Sequence, residues 1–331
     1  MRPDGTLLLT RHEIAALLNI EDCIDAVEKA FRLYAEGKTT KPGVLGIAAG
    51  DGGFHIKAGL LDLGRLYFAA KLNANFPQNT KRFELPLIQG IVALCDGENG
   101  YPLALMDSIE ITILRTGAAT GAAAKYLART DATVATICGC GNQGRISLQA
   151  LAKVRPITRG FAFDIDENKA RQFADELSRE LGIEVQCVTD LARAVKQSDI
   201  CVTCTPTKQH FLKREYVSPG TFIAAVGADS EDKQELEPSL MASSKIVVDL
   251  LDQCAVIGDL HHALEQSLVT TADVHAELGE IIAGRKAGRT SEDEIIIFDS
   301  TGTALQDVAA AAIVYERAKS SGAGVLLNIG D

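Results

Sequence analysis

The sequence predicts an α/β protein that contains a doubly wound Rossmann domain and a second, α+β domain. Beyond residue 130, short apolar runs alternate with amphipathic stretches, which is typical of a parallel sheet covered on both faces. A G-x-G-x-x-G motif lies where the first of these runs gives way to a helix. The first 115 residues instead mix helices with glycine-punctuated strands. We therefore expect two domains joined by long helices.

Length and composition allow two folded domains and exclude several classes of protein. The chain has 331 residues, of which 47% are hydrophobic and 23% charged, a globular balance. Its net charge of −11 argues against a nucleic-acid-binding surface, because phosphates attract clustered Lys and Arg. No apolar run is long enough to span a membrane, and the N-terminus lacks a signal-peptide core. Eight cysteines do not form a disulfide framework. We expect a cytoplasmic protein without nucleic-acid or membrane partners.

The first domain is predicted to open with amphipathic helices and to continue with an antiparallel or mixed sheet. Helical spacing covers residues 10–37. Three glycine-punctuated runs have the composition of strands: GGFHIKAGL, LYFAAKLNA and IQGIVALCD. An Ala/Gly-rich run at 108–129 predicts a long helix that links the domains in sequence. The run TALQDVAAAAIVYERAKSSG predicts a C-terminal helix ended by Gly322.

The second domain is predicted to alternate strands and helices. The strand-like runs are residues 133–138, 160–164, 183–188, 199–205, 221–227 and 245–250. Two later stretches look helical, GDLHHALEQ with His261 and His262 and ADVHAELGE with His275. No ligand spacing joins these histidines, so we expect no metal site.

The glycine motif predicts a dinucleotide site. Gly139, Gly141 and Gly144 lie between a strand that ends at Cys138 and a helix that begins near Asn142. Glycines at these positions permit a tight turn, approach of the backbone to a pyrophosphate, and contact between helix and strand. The helix N-terminus then faces the phosphates. A flavin or S-adenosylmethionine on a similar turn is the alternative.

Asp164 indicates which dinucleotide the site prefers, NAD(H) or NADP(H). Asp164 follows Gly144 by 20 residues, at the end of the second strand. A carboxylate there accepts hydrogen bonds from the ribose hydroxyls and repels a 2′-phosphate, and Asp166 and Glu167 strengthen the repulsion. NAD(H) is therefore favoured over NADP(H). The competing interpretation is an aspartate that only caps the next turn.

The chain resembles the ornithine cyclodeaminase/μ-crystallin family in five separated motifs. In order, these are LPLIQGIVALCD, RTGAATGAAAKYLAR, ICGCGNQGR, AVGADSEDKQEL and GRTSEDEIIIFDSTG. The resemblance covers most of the chain and implies a homodimer. The resemblance implies that residues 1–115 and 303–331 form a substrate-binding and dimerisation domain around an inserted NAD-binding Rossmann domain, residues 116–302. Members cyclodeaminate ornithine, oxidise alanine or reduce cyclic ketimines, and a few chiefly bind small ligands or hormones.

The resemblance also assigns residues that contact the substrate. Lys71, in AAKLNANFPQN, matches the active-site lysine, and Arg115, in ILRTGAAT, matches the arginine that holds the substrate carboxylate. Asp229, after TFIAAVG, matches an aspartate that faces the substrate nitrogen. A buried ammonium can bind a carboxylate, or exchange a proton with an imine when its pKa falls. The structural alternatives are a lysine that reaches solvent, an interdomain salt bridge and a helix N-cap, respectively.

Further residues are assigned to the cofactor. By family analogy, the turn DSTGTALQD places Ser300 and Gly302 against the nicotinamide. We also expect four other residues to contact the cofactor: Thr116, Asn142, Gln143 and Thr205.

Two departures from the family pattern affect the substrate. Gly43 stands where many members carry an arginine that grips the carboxylate, and Lys57 is the candidate replacement. His55 stands where ornithine-specific members have an acidic residue for the distal amine. The sequence therefore favours an amino acid or imine without a distal ammonium.

Together these assignments predict an NAD(H)-dependent oxidoreductase that transfers hydride at the α-carbon of a small amino acid or its imine, cyclic imines included. The first alternative is a redox-neutral ornithine cyclodeaminase, which forms L-proline and ammonia while NAD is recycled. The second is a crystallin-like binding protein without turnover.

Overall fold

The structure, a computed structural model, describes residues 5–329 and divides into two compact units. Unit 1 contains the residues up to Arg115 and those from Thr303 onward, and unit 2 spans Thr116–Gly302. The roles expected for these parts of the chain, substrate binding with dimerisation and NAD binding, stay predictions. Among the described residues, no helix combines the length and hydropathy that a membrane crossing requires.

Unit 1 is built on one mixed sheet flanked by helices. Its strands are β1 (Thr6–Leu9), β2 (Gly43–Ala49), β3 (Gly52–Asp62), β4 (Leu66–Asn75), β5 (Ile88–Asp96), β6 (Pro102–Asp107) and, near the end of the chain, β15 (Val325–Leu327). Its helices are α1 (Arg11–Leu17), α2 (Ile20–Ala35), α3 (Asn79–Phe83), the start of α4 (Ser108–Leu127) and α12 (Ala304–Ser321). In the described chain the strand order is β15-β1-β6-β5-β4-β3-β2. Only the β1–β6 pair of this described sheet is parallel.

Local sequence accounts for the helices of unit 1. A capping box between Thr10 and Glu13 starts α1, and the Asn19 side chain caps α2. The Ala-rich α12 is buried along most of its length and packs against α2, β3 and β4. It ends at Gly322, whose φ of 72° is the left-handed conformation that glycine adopts readily. The predictions of a mixed sheet, two opening helices and a C-terminal helix are confirmed.

Unit 2 is a parallel sheet with helices between its strands. The strands are β7 (Val134–Cys138), β8 (Arg159–Phe163), β9 (Glu184–Cys187), β10 (Ile200–Thr203), β11 (Phe222–Ala225), β12 (Lys245–Val248), β13 (Val274–Glu277) and β14 (Ile296–Asp299). The helices are the rest of α4, then α5 (Asn142–Val154), α6 (Glu167–Leu181), α7 (Leu191–Lys196), α8 (Pro238–Ala242), α9 (Leu251–Ile257), α10 (Asp259–Glu265) and α11 (Leu278–Ile282).

The strand order of unit 2 reverses between β7 and β10, as in doubly wound sheets. The order is β13-β12-β14-β11-β10-β7-β8-β9, and every described pair is parallel. The chain runs outward from β7 to β9 on one side and continues from β10 on the other. In doubly wound sheets, ligands bind outside the carboxyl ends of the strands where the order reverses. The predicted fold class, a doubly wound Rossmann domain with a second α+β domain, is confirmed.

One predicted element is wrong. His275 lies in β13, which pairs with β12, and not in a helix. The apolar residues Val274 and Ala276 alternate over too few positions to distinguish a short strand from a helix, so the pairing partner decides. The helical prediction for His261 and His262 is confirmed by α10.

Candidate functional site

Three basic side chains and one carboxylate form a buried group in unit 1, here called the cation cluster: Lys57, Lys71, Arg115 and Asp307. Lys57 and Lys71 lie directly opposite each other in the antiparallel register of β3 and β4. They are 8% and 3% exposed, so Lys71 is not a lysine that reaches solvent. Opposed like charges destabilise a strand pair, and the ion pair of Lys71 with Asp307 counters this repulsion.

Asp307 joins two of the cations. The Lys71 Nζ donates to Asp307 Oδ1 at 2.8 Å, and the Arg115 Nε lies 3.3 Å from the same oxygen. The Arg115 Nη1 also donates to Gln306 Oε1 at 2.9 Å. This ion pair of Arg115 is therefore made within unit 1, between α4 and α12.

Burial determines the protonation of Lys71. Desolvation lowers the pKa of the Lys71 ammonium to about 7. The nearby Asp307 carboxylate opposes this change, whereas Arg115 and Lys57 reinforce it. Lys71 can therefore hold or release a proton near neutral pH, as an acid–base group must.

Sequence reasoning missed Gln306 and Asp307. Both lie in the quoted stretch DSTGTALQD, where we assigned only Ser300 and Gly302. The available signal was a pair of polar residues in the first turn of an otherwise Ala-rich, buried helix.

In unit 2, the three glycines of the motif have different surroundings. A Cβ on Gly144 would lie 2.1 Å from the carbonyl oxygen of Gly139, and a Cβ on Gly139, whose φ is 104°, would lie 2.9 Å from that of Cys204. A Cβ on Gly141 would meet no described atom within 4 Å. Gly139 and Gly144 are therefore required by packing, whereas Gly141 leaves open space beside the backbone.

The helix that follows this turn presents its N-terminus without a capping side chain. Gly141 is the N-cap of α5, and the first turn, which begins with Asn142 and Gln143, contains no acidic residue. Asn142 is exposed and Gln143 half-buried. Free backbone N–H groups at such a terminus attract phosphate.

Asp164 organises the glycine turn. Its Oδ2 accepts a hydrogen bond from the Cys140 N–H at 2.9 Å, and its Oδ1 accepts one from the Asp166 N–H at 3.0 Å. The N-cap of α6 is Asp166 rather than Asp164. Asp164 therefore holds the next turn, as the competing interpretation expects, and it also holds the glycine turn.

Glu235 connects the segments that follow β10 and β11. Its Oε1 accepts from the backbone N–H and the hydroxyl of Thr205, at 2.6 and 2.7 Å, and its Oε2 accepts from the Gly227 N–H at 3.1 Å. A Cβ on Gly227 would lie 2.4 Å from Glu235 Oε2, so only glycine fits. Burial, aided by the Asp259 charge, raises the pKa of Glu235 to about 8.

Three further buried carboxylates continue along this edge of the sheet, and with Glu235 we call them the carboxylate chain: Glu235, Asp259, Asp299 and Asp249. Asp259 Oδ1 accepts from the backbone N–H of Glu235 at 2.8 Å, and Asp299 Oδ1 accepts from that of Asp259 at 3.3 Å. Burial raises the pKa of Asp259 to about 6 and raises that of Asp299 as well.

Asp249 fixes the turn that was assigned to the nicotinamide. Its Oδ2 accepts from the Ser300 hydroxyl at 2.9 Å and from the Gly302 N–H at 2.7 Å. Sequence reasoning missed the whole carboxylate chain. Acidic residues at strand ends, as in KIVVDL and IIIFDS, were the only local signal.

Comparison with known proteins decides the family. The sequence model of the ornithine cyclodeaminase/mu-crystallin family matches residues 5–322. The chain belongs to this family. An alanine dehydrogenase from Archaeoglobus fulgidus is 41% identical over 320 residues, which are 96% of this chain and 97% of that protein.

Solved structures of family members agree closely with this fold. An archaeal alanine dehydrogenase dimer with bound NAD has a TM-score of 0.94 at 40% identity, over 98% of this chain and 99% of that one. The Δ1-pyrroline-2-carboxylate reductase of Thermococcus litoralis, in complex with NADH and L-proline, has a TM-score of 0.92 at 35% identity, over 97% and 100% of the two chains. The resemblance seen in the sequence is confirmed.

The remaining predicted residues of this family member lie in different surroundings. Asp229 is exposed and accepts a hydrogen bond from the Lys233 ammonium. The next helix begins at Pro238 with Glu237 as its N-cap, so Asp229 does not cap it. Thr116 is buried on α4 at the first position of unit 2.

The two departures from the family pattern lie beside the cation cluster. Gly43 begins β2, which runs antiparallel to β3, and its neighbour Val44 lies opposite Lys57. His55 is half-buried and precedes Lys57 by two residues on the same face of β3. The substitute role proposed for Lys57 is therefore consistent with its burial next to Lys71, and it stays a prediction.

Proposed function

We propose that this protein is an NAD(H)-dependent oxidoreductase that transfers hydride at the α-carbon of a small amino acid or its imine, cyclic imines included. The cation cluster carries the proposal, because Lys57 is buried opposite Lys71 in the sheet, and Lys71 and Arg115 both contact the Asp307 carboxylate. Lys71 and Arg115 share one Asp307 oxygen, and burying two adjacent cations is costly, so an anionic ligand beside them is favoured. The α-carboxylate of an amino or imino acid is an anion that matches the planar fork of Arg115.

The residues of unit 2 fit NAD(H). The open space at Gly141 admits a pyrophosphate to the backbone, and the uncapped start of α5 supplies N–H groups to it. Asp164 adds a carboxylate at the position that favours a ribose hydroxyl over a 2′-phosphate. When bound, the nicotinamide supplies or accepts the hydride.

The residues of the chain then bind the substrate and move protons. Arg115 and Lys57 hold the carboxylate. Lys71, with its pKa near 7, gives a proton to the substrate nitrogen during reduction and takes one during oxidation. Asp229 stabilises the cationic nitrogen. His55, in place of an acidic residue, offers no negative charge to bind a distal ammonium.

We further propose that the protein acts as a homodimer in the cytoplasm. Unit 1 exposes large apolar side chains on and near β2–β5, namely Val44, Leu45, Ile47, Phe54, Leu72, Phe83, Leu85, Leu87, Ile88 and Ile91. So many large apolar side chains exposed in one part of the chain are typical of a protein interface. Cysteines that form no disulfides suit a reducing compartment.

A paired assay of NADH absorbance and ammonia tests the function. Ornithine, lysine, alanine and arginine are supplied with NAD, and pyrroline-2-carboxylate, piperideine-2-carboxylate and pyruvate with ammonia are supplied with NADH. We expect a change in NADH with alanine or with an imine. Ammonia from ornithine without net change in NADH would instead identify a cyclodeaminase. NADH binding without turnover of any compound would identify a binding protein.

A further inference from the structure

The first turn of α12 carries buried polar atoms that lack partners. Within residues 5–329, no hydrogen-bond partner is found for Asp307 Oδ2, Gln306 Nε2 or the Thr303 hydroxyl. These three residues are at most 1% exposed. A buried polar group without a hydrogen bond is costly, so such groups in a native protein mark a ligand or water position.

The partnered atoms of the same two side chains hold the cations of the cluster. Asp307 Oδ1 contacts Lys71 Nζ at 2.8 Å and Arg115 Nε at 3.3 Å. Gln306 Oε1 accepts from Arg115 Nη1 at 2.9 Å. One helical turn therefore fixes the orientation of both cations, and it still has an acceptor and a donor to offer to a ligand.

We propose that Asp307 is a positioning residue of the reaction: it holds the Lys71 ammonium and the Arg115 guanidinium in one arrangement and keeps a proton on Lys71. This inference rests on the proposed function and adds to it a residue that controls proton transfer. Gln306 supports the arrangement through Arg115.

The proton balance of an imine reduction defines this role. The α-carbon gains the hydride, the C=N π electrons become a lone pair on nitrogen, and the Lys71 ammonium transfers its proton to that lone pair. The neutral Lys71 amine then regains a proton from water, while Asp307 stays a carboxylate throughout. During oxidation the neutral Lys71 amine removes the proton from the substrate ammonium before the hydride leaves.

The charged groups around Lys71 show why Asp307 controls its proton. Lys57 on β3 and Arg115 on α4 disfavour the ammonium, and burial disfavours it further. Asp307 is the group that favours it. Opposite Lys71, β5 places an uncharged residue. On α2, burial raises the pKa of the Cys23 thiol to about 12, so it adds no charge near neutral pH.

Asp307→Asn tests the proposal, because it keeps the shape of the side chain and removes its charge. In wild-type protein, kcat/KM for imine reduction should fall as the pH rises above the pKa of Lys71. In Asp307→Asn, this decline should begin at least about one pH unit lower. The matched control is Glu316→Gln, another carboxylate on α12, which accepts a hydrogen bond from Tyr67 instead. It should leave the pH profile unchanged.

A direct titration of Lys71 gives a readout that does not depend on turnover. Protein labelled with 13C at the lysine ε-carbons is followed by NMR across the pH range, and Lys71→Met identifies the Lys71 resonance. Asp307→Asn should lower the pKa of Lys71 by at least about one unit. An unchanged pKa would overturn the proposal. If the wild-type protein neither turns over nor binds NADH, the proposed function fails, but this titration still decides whether Asp307 controls Lys71.

A second variant, Asp307→Glu, tests the proposal if Asp307→Asn folds poorly. Asp307→Glu retains the charge and displaces it by one methylene. The proposal requires that its pH profile stay within about half a unit of wild type while kcat falls, because misplacement of a group slows the reaction. A profile that shifts by a full unit or more in Asp307→Glu would contradict the role of the charge.

Discussion

Arg115 makes two contacts that a lysine cannot make together. Its guanidinium lies against Asp307 and donates to Gln306, and the rest of its planar fork suits a carboxylate. We expect Arg115→Lys to raise KM for the amino or imino acid roughly 10- to 100-fold. The guanidinium can donate two parallel hydrogen bonds to a carboxylate, whereas the lysine ammonium acts as a single point charge. Steady-state kinetics on the best substrate measures this change.

The control for that variant is Arg129→Lys in unit 2, where the arginine pairs with Asp131 near the surface. It should leave KM unchanged. An Arg115→Lys enzyme with the wild-type KM would show that Arg115 does not bind the substrate.

Lys71 and Asp307 show which residues of the site could be predicted from the sequence. Lys71 was assigned through its match to the family motif, and the structure buries it. Its partner Asp307 is 236 positions away in sequence. The polar pair in the first turn of α12 marks Asp307 as unusual but does not name its partner, because an aspartate in the first helical turn is also an ordinary helix-dipole residue.

At the scale of elements, the strand–turn–helix of β7 and α5 combines two roles of glycine. Gly144→Ala should destabilise unit 2 by about 2 kcal/mol or more, because its Cβ would lie 2.1 Å from a backbone oxygen that cannot move freely. Chemical denaturation followed by circular dichroism measures the loss.

Gly141→Ala is the matched variant for the same turn. Its Cβ meets no described atom, so the stability should stay near wild type. The methyl group would occupy the space proposed for the pyrophosphate, and Kd for NADH should rise about 10-fold, which corresponds to about 1.4 kcal/mol. Tight NADH binding by Gly141→Ala would contradict the proposed position of the cofactor.

Elements were predictable where periodicity was long and unpredictable where it was short. The Ala-rich α12 and the amphipathic α2 were identified from their sequences. The strand β13 was not, since four residues with one alternation fit either structure until β12 pairs with them.

At the scale of the whole molecule, the carboxylate chain makes stability depend on pH. Burial raises the pKa of Glu235 from 4.5 to about 8 and that of Asp259 from 3.8 to about 6. Between the ordinary and the raised values, the folded protein binds more protons than the unfolded chain. The free energy of unfolding should therefore fall as the pH rises from about 5 to 7.

Glu235→Gln tests this prediction. It should make the decline shallower, because it removes a carboxyl group whose pKa burial raises to about 8. It should also lower stability at pH 5, since an amide NH₂ would face donors that now bond to the carboxylate. Urea denaturation at several pH values measures both effects. The control Glu316→Gln, at a partly exposed carboxylate, should keep the wild-type slope.

Lys71 affects stability in the opposite sense. Its pKa is lower in the folded protein than in the unfolded chain, so its contribution makes the free energy of unfolding rise between about pH 7 and 10.5.

The exposed apolar side chains of unit 1 give a prediction for the assembly. In the described sheet β2 is an edge strand, and Ile47 on it is exposed. We expect wild-type protein to sediment as a dimer and Ile47→Glu to shift it toward monomer, because a charge opposes burial in an apolar interface. Ile165→Glu, at a fully exposed site of unit 2, is the control and should leave the mass unchanged. A wild-type monomer would contradict the proposed dimer.

The sequence by itself determined the fold class, the strand–turn–helix at the glycine motif and the family. Each of these depends on local order: the alternation of apolar residues, the spacing of glycines, and short motifs in succession. Tertiary structure decided the pairing of Asp307 with Lys71 and Arg115, and it decided the chain of buried carboxylates at the sheet edge. Those features arise when distant segments exclude water from charged groups, and the resulting electrostatics depends on distances that a linear pattern does not contain.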